Sequence, residues 1–164
     1  MKVVVVMGAI FVLLACGCAL GGEGRPTWQS SYFDGSEFRE GSLPRAVTVY
    51  HQVDFLPVVT AGDIPVSRDP LPKGAGGVVI YCYIQSSGGK IEAQGGSVPV
   101  AGVAVELRGE GGNLLLRTDD KGYAVAGVAA GTYIVSVKGV ATKFTVAQGT
   151  TTLLPIRAGK RMVD

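Results

Sequence analysis

The chain has 164 residues, with 15 Lys and Arg against 13 Asp and Glu, a formal net charge of +2 and a single histidine. The basic residues are scattered, which excludes the one-sided electrostatic footprint of a nucleic-acid binder. One histidine also argues against a transition-metal centre, because zinc draws on several His or Cys ligands.

In chain order, Met1-Lys2 precedes an unbroken apolar run from Val3 to Ala15, and Cys16-Gly17-Cys18 follows. A positive start, an apolar run of this length and small residues at its end make a secretory signal peptide, too short to span a bilayer stably. No later stretch reaches the roughly 18 apolar residues of a membrane helix. Within the leader, Leu13-Leu14-Ala15-Cys16 resembles the lipobox of bacterial lipoproteins, with an aliphatic residue three places before the cysteine and a small one directly before it. The resemblance implies that residues 1–15 are removed and that Cys16 becomes the acylated first residue. An ordinary cleaved signal, using the small residues Gly17 and Ala19, is the alternative. Cys18 has no aliphatic residue at the outermost place, and position 17 is not the Asp of inner-membrane retention, so the expected site in a cell with two membranes is the outer one. A diacyl-glyceryl group with an amide-linked acyl chain exceeds the two-signal threshold for durable anchoring.

Six of the eight prolines, at 26, 44, 57, 65, 70 and 72, lie between the lipobox and Gly74. Proline lacks a backbone donor and fixes its own φ, so this segment is expected to run mostly extended rather than as a central sheet or long helix. It also holds Trp28, Tyr32, Phe33, Phe38, Tyr50 and Phe55, whereas solvated tethers are poor in aromatics. Trp28, Tyr32, Phe33 and Phe38 are therefore expected to dock onto a partner. Ala46 to Val53 alternates well enough to form one strand.

From Gly76 onward, short β-branched and aromatic runs alternate with glycine. Residues 77–85, 102–108, 113–118, 123–128, 132–138, 142–147 and 151–157 read as seven strands. Val103-Ala104-Val105-Glu106-Leu107-Arg108 puts apolar side chains on one face and charges on the other, as a half-buried strand requires. The class is all-β, with a seven-stranded Ig-like or transthyretin-like β-sandwich as the closure. Cys82, within Tyr81-Cys82-Tyr83, is expected to be a buried thiol, although a bridge to Cys18 stays open in an oxidising compartment.

Three motifs carry a second resemblance. Pro99-Val100-Ala101-Gly102-Val103-Ala104-Val105, Thr118-Asp119-Asp120-Lys121-Gly122-Tyr123 and Val128-Ala129-Ala130-Gly131-Thr132-Tyr133-Ile134-Val135-Ser136-Val137 resemble, in order, the opening, the hairpin and the Tyr-bearing strand of carboxypeptidase-regulatory-like domains. The resemblance covers residues 77–158 and implies a transthyretin-like sandwich with Tyr123 and Tyr133 buried. It implies no activity, because such sandwiches are accessory modules. The Lys–Asn isopeptide of surface-pilin relatives is not expected, since the single asparagine, Asn113, falls in a hairpin and no lysine occupies 77–85.

The expected division is a lipoprotein signal peptide over 1–15, a lipid-anchored extended docking segment over 16–75, the sandwich over 76–158 and a tail over 159–164. No catalytic residue, cofactor or metal site is expected: no Gly-x-Ser-x-Gly elbow presents a serine to His51, and Asp119-Asp120 lacks the ligand pattern of a calcium loop. The expected function is a non-enzymatic, lipid-anchored envelope or cell-surface module that binds other proteins of a larger assembly. A carbohydrate-binding sandwich is the alternative, and a deep polar pocket around His51 would reopen the enzymatic reading.

Overall fold

The computed structural model describes residues 27–65, 68–86 and 96–160. The leader, Cys16, Cys18 and residues 161–164 lie outside them. Among the described residues there are twelve strands and no helix.

The architecture follows from β5 (Ala75–Ser86), whose Val78-Val79-Ile80-Tyr81-Cys82-Tyr83 is buried on both faces. A strand buried on both faces reads as a continuous apolar run and requires a layer above and a layer below it. Its neighbours complete a central sheet. β12 (Thr151–Lys160) pairs with it in parallel, and β9 (Tyr123–Ala129) and β6 (Gly96–Pro99) pair antiparallel along successive parts of its other edge.

Val78, Ile80 and Cys82 face the first partner layer, the antiparallel sheet β11-β10-β7-β8. This sheet comprises β7 (Ala104–Gly109), β8 (Gly112–Arg117), β10 (Gly131–Val137) and β11 (Val140–Val146). Val105, Leu107, Tyr133, Val135, Val137, Phe144 and Val146 fill the space between them. Among the described residues Cys82 has no disulfide partner; its side chain is fully buried, and burial pushes the thiol up to about 11.

Val79, Tyr81 and Tyr83 alternate to the opposite face, as strand geometry demands, and are covered by a third sheet in the order β2-β1-β3-β4. It consists of β1 (Gln29–Phe33), β2 (Phe38–Glu40), β3 (Thr48–His51) and β4 (Val58–Thr60), all antiparallel. The molecule is thus a three-sheet stack with two cores. The second core is aromatic: the Phe33 ring lies 4.8 Å from both Tyr81 and Tyr83 and 5.7 Å from Phe38, while Tyr81 and Tyr123 are 4.6 Å apart. These are separations at which ring edges and faces attract.

All seven strands expected from Gly76 onward are present, joined by an eighth, β6, whose Gly-Ser-Val-Pro sequence carries little strand signal. The segment expected to be extended, with one strand, instead forms four short strands, and its described prolines lie outside them. Pro44 and Pro57 sit in the connections before β3 and β4, where a missing backbone donor takes nothing from the ladders.

Local devices fix the sandwich loops. Asp119 Oδ1 accepts hydrogen bonds from the Lys121 and Tyr123 amides at 2.9 and 2.8 Å, so its carboxylate serves the hairpin. Gly122 takes φ of 82° there, and a Cβ on it would lie 2.8 Å from the Cys82 carbonyl. Buried Thr118 accepts from the Val103 amide and donates to the Val100 carbonyl, closing the loop before β7. The Tyr133 hydroxyl donates to the Ala129 carbonyl at 2.9 Å.

Candidate functional site

Strand register brings the chain's single histidine into a cleft of mixed polar and apolar lining. In the β1–β3 pair Gln29 stands opposite His51 and Ser31 opposite Val49, and in the β1–β2 pair Ser31 stands opposite Glu40. Directly paired residues share a face, so Ser31, Glu40 and His51 lie on the same side as Val49, the side turned to the central sheet. Between that face and Leu153 of β12 opens a cleft of about 500 Å³, lined also by Trp28 and Phe38. This volume falls within the range of small-molecule sites, roughly 300–1,000 Å³.

Ser31 is buried, and its Oγ lies 3.2 Å from His51 Nε2. Which of the two donates depends on the imidazole tautomer. Burial holds the His51 pKa below its ordinary 6.5, opposed by the nearby Glu40 carboxylate, and the ring is neutral at pH 7. A neutral imidazole beside a serine hydroxyl is half of a nucleophilic pair. Acyl transfer also needs N–H donors aimed at the developing oxyanion. β1 runs between β2 and β3, so the amides around Ser31 point along the sheet into its ladders. The arrangement suits hydrogen bonding to a ligand better than acyl transfer to one.

Trp28 stands at the rim. Its Nε1 donates to the Pro65 carbonyl at 3.1 Å, and the Arg68 guanidinium lies 5.8 Å from its ring centre and 5.9 Å from that of Phe55, within cation–π range.

The four aromatics expected to dock onto a partner are thus divided. Phe33 and Phe38 pack within the chain against Tyr81 and Tyr83, because the central sheet's outer face needs apolar cover. Tyr32 points to the opposite side of its sheet, opposite Arg39 and Thr48, and Trp28 lines the cleft. Ser31 and Glu40, the companions of His51, were not legible as site residues. Alternation groups 29, 31 and 33 on one face, but only the register between β1, β2 and β3 shows what that face meets. Cys16, the expected lipidation site, lies outside the described residues.

No protein-family model matches the chain, and no curated protein matches it. Among solved structures, the minor pilin GBS52 of Streptococcus agalactiae is similar at 13% sequence identity, over 84% of this chain and 83% of that one, with a TM-score of 0.44. A likeness of that size assigns neither family nor role.

Proposed function

We propose that the chain is an exported lipoprotein, held to a membrane by acyl groups on Cys16, whose three-sheet body is a non-enzymatic, carboxypeptidase-regulatory-like module of an envelope or cell-surface assembly. The observation that carries the reading is the leader ending in Leu13-Leu14-Ala15-Cys16. Thr27 lies eleven positions beyond Cys16, a span of at most about 40 Å. The body therefore works close to the bilayer, on the outer membrane where the cell has two. Trp28 and Tyr32 are the two of the four aromatics left to meet a protein partner. The reading requires no cofactor or metal.

The test is in-cell cross-linking followed by detergent solubilisation and mass spectrometry of what co-purifies. Defined protein neighbours in the membrane fraction are the expected result. Recovery of the chain alone in the aqueous fraction would contradict the reading.

A second reading, carbohydrate binding, rests on the cleft. Two aromatic rings, Trp28 and Phe38, beside Glu40, His51 and Ser31 supply the mixture of apolar surface and hydrogen-bonding groups that a sugar ring engages. Titration with soluble oligosaccharides should then change Trp28 fluorescence, and Glu40→Gln should weaken the response. An unchanged spectrum would remove this reading.

A further inference from the structure

The edges of the three sheets are not alike. β2 and β4 have three residues each, and β2 carries Arg39 and Glu40. β12 contains Pro155 and a register shift between Arg157 and Lys160. β11 carries Lys143 and lies beside β12, where the Thr152 hydroxyl donates to the Thr145 carbonyl at 3.3 Å. Shortness, charge, proline and irregular register all blunt a sheet edge against unwanted pairing.

β8 has none of these in its middle. It offers Asn113-Leu114-Leu115-Leu116 with one charge, Arg117, at its end, and its register with β7 is regular. Leu115 is 71% exposed and Leu114 37%. Among the described residues, no backbone group of Gly112–Arg117 bonds to anything beyond the β7–β8 ladder.

We infer that β8 is a self-association edge, pairing antiparallel with β8 of a second copy of this chain about a two-fold axis at Leu115. The strand is complementary to itself in that register. Leu115 meets Leu115, Leu114 meets Leu116, and Asn113 meets Arg117. Leu114 and Leu116 share the face of Leu107 and Val105, so their contact extends the inner core across the junction. The two Arg117 side chains sit four residues apart along the pair, about 13 Å, beyond the screening length of about 8 Å at physiological salt. In-register parallel pairing would set them side by side. The product is a continuous sheet of eight strands with both inner faces on one side. A single strand pair buries less than the roughly 1,200 Å² of a stable interface, so the contact is weak in dilute solution and is strengthened where anchored chains are concentrated. The inference deepens the assembly reading and rests on it for its setting.

The experiment uses the mature chain in detergent. Leu115→Cys places two thiols on directly opposed residues, with Cα atoms about 4.5–5.5 Å apart, inside disulfide range. Ile134→Cys, 46% exposed on the outer face of the same sheet, is the control, and the unsubstituted chain reports any background from native cysteines. Mild oxidation is expected to give at least about tenfold more linked dimer from Leu115→Cys than from Ile134→Cys. In sedimentation equilibrium Leu115→Lys is expected to weaken association about tenfold, or about 1.4 kcal/mol, with an unchanged melting temperature. Equal linking of the two cysteine variants, or association unaffected by Leu115→Lys, would overturn the inference. Linking of Leu115→Cys to a different protein in native membranes would overturn the second copy as occupant and leave the assembly reading standing. No linked product, in a chain that also co-purifies with nothing, would overturn both.

Discussion

His51 is neutral in the folded chain at pH 7 because burial disfavours its charged form. Its folded pKa lies below the ordinary 6.5, so between those two values the unfolded chain binds more protons and stability falls as pH falls. The melting temperature should therefore be level above about pH 6.5 and decline below it. His51→Gln should flatten that decline, which thermal scans across pH 5 to 8 would show, and an unchanged profile would mean that the imidazole is solvated. Tyr133, in the other core, combines a buried ring with a hydroxyl bonded to Ala129. Tyr133→Phe removes only that bond and should cost about 1 kcal/mol. Tyr133→Ala removes the ring and should cost about 3–5 kcal/mol, a large share of the roughly 5–15 kcal/mol that holds a domain. Chemical denaturation of the pair separates the two contributions.

At the scale of elements, the sheet β2-β1-β3-β4 is a layer that the sequence hides. β3 is legible because Thr48-Val49-Tyr50 is β-branched and aromatic. β1 and β2 read Gln-Ser-Ser-Tyr-Phe and Phe-Arg-Glu, short and polar, and owe their strand state to the aromatic face of β5 beneath them. Tertiary context decides strand formation wherever local preference is weak. The continuous burial of β5 contains the missing information: one sandwich partner covers only one face, so Tyr81 and Tyr83 demand another. A fragment beginning at Gly74 would leave Val79, Tyr81, Tyr83 and Tyr123 uncovered. It should melt below the full chain and bind an apolar dye, and an equal melting temperature would show that the third sheet adds no stability. Phe33→Ala in the full chain should cost about 2 kcal/mol, less than the roughly 3–5 kcal/mol of a fully enclosed ring.

For the whole molecule, composition and turn spacing made the all-β class legible, and alternation in β7 and β10 showed which side chains face the first core. The parallel pairing of β12 with β5 was not legible, because it joins residues some seventy positions apart and period-two patterning carries no register between distant strands. The cleft was hidden for the same reason. Its residues come from β1, β2, β3, β12 and the turns beside them; Trp28, Phe38 and His51 drew notice singly, but nothing in the sequence placed them together. The role, by contrast, rests on the leader, since a stack of sheets is compatible with many tasks.

Lipid anchoring at Cys16 is decided by the intact mass of the mature amino terminus, taken from membranes for the native chain and for Cys16→Ser and Cys18→Ser. The expected result is a native chain beginning at Cys16 with added acyl mass, the same product from Cys18→Ser, and an unacylated, soluble or unprocessed chain from Cys16→Ser. A native chain beginning at Leu20 with no acyl mass would contradict it.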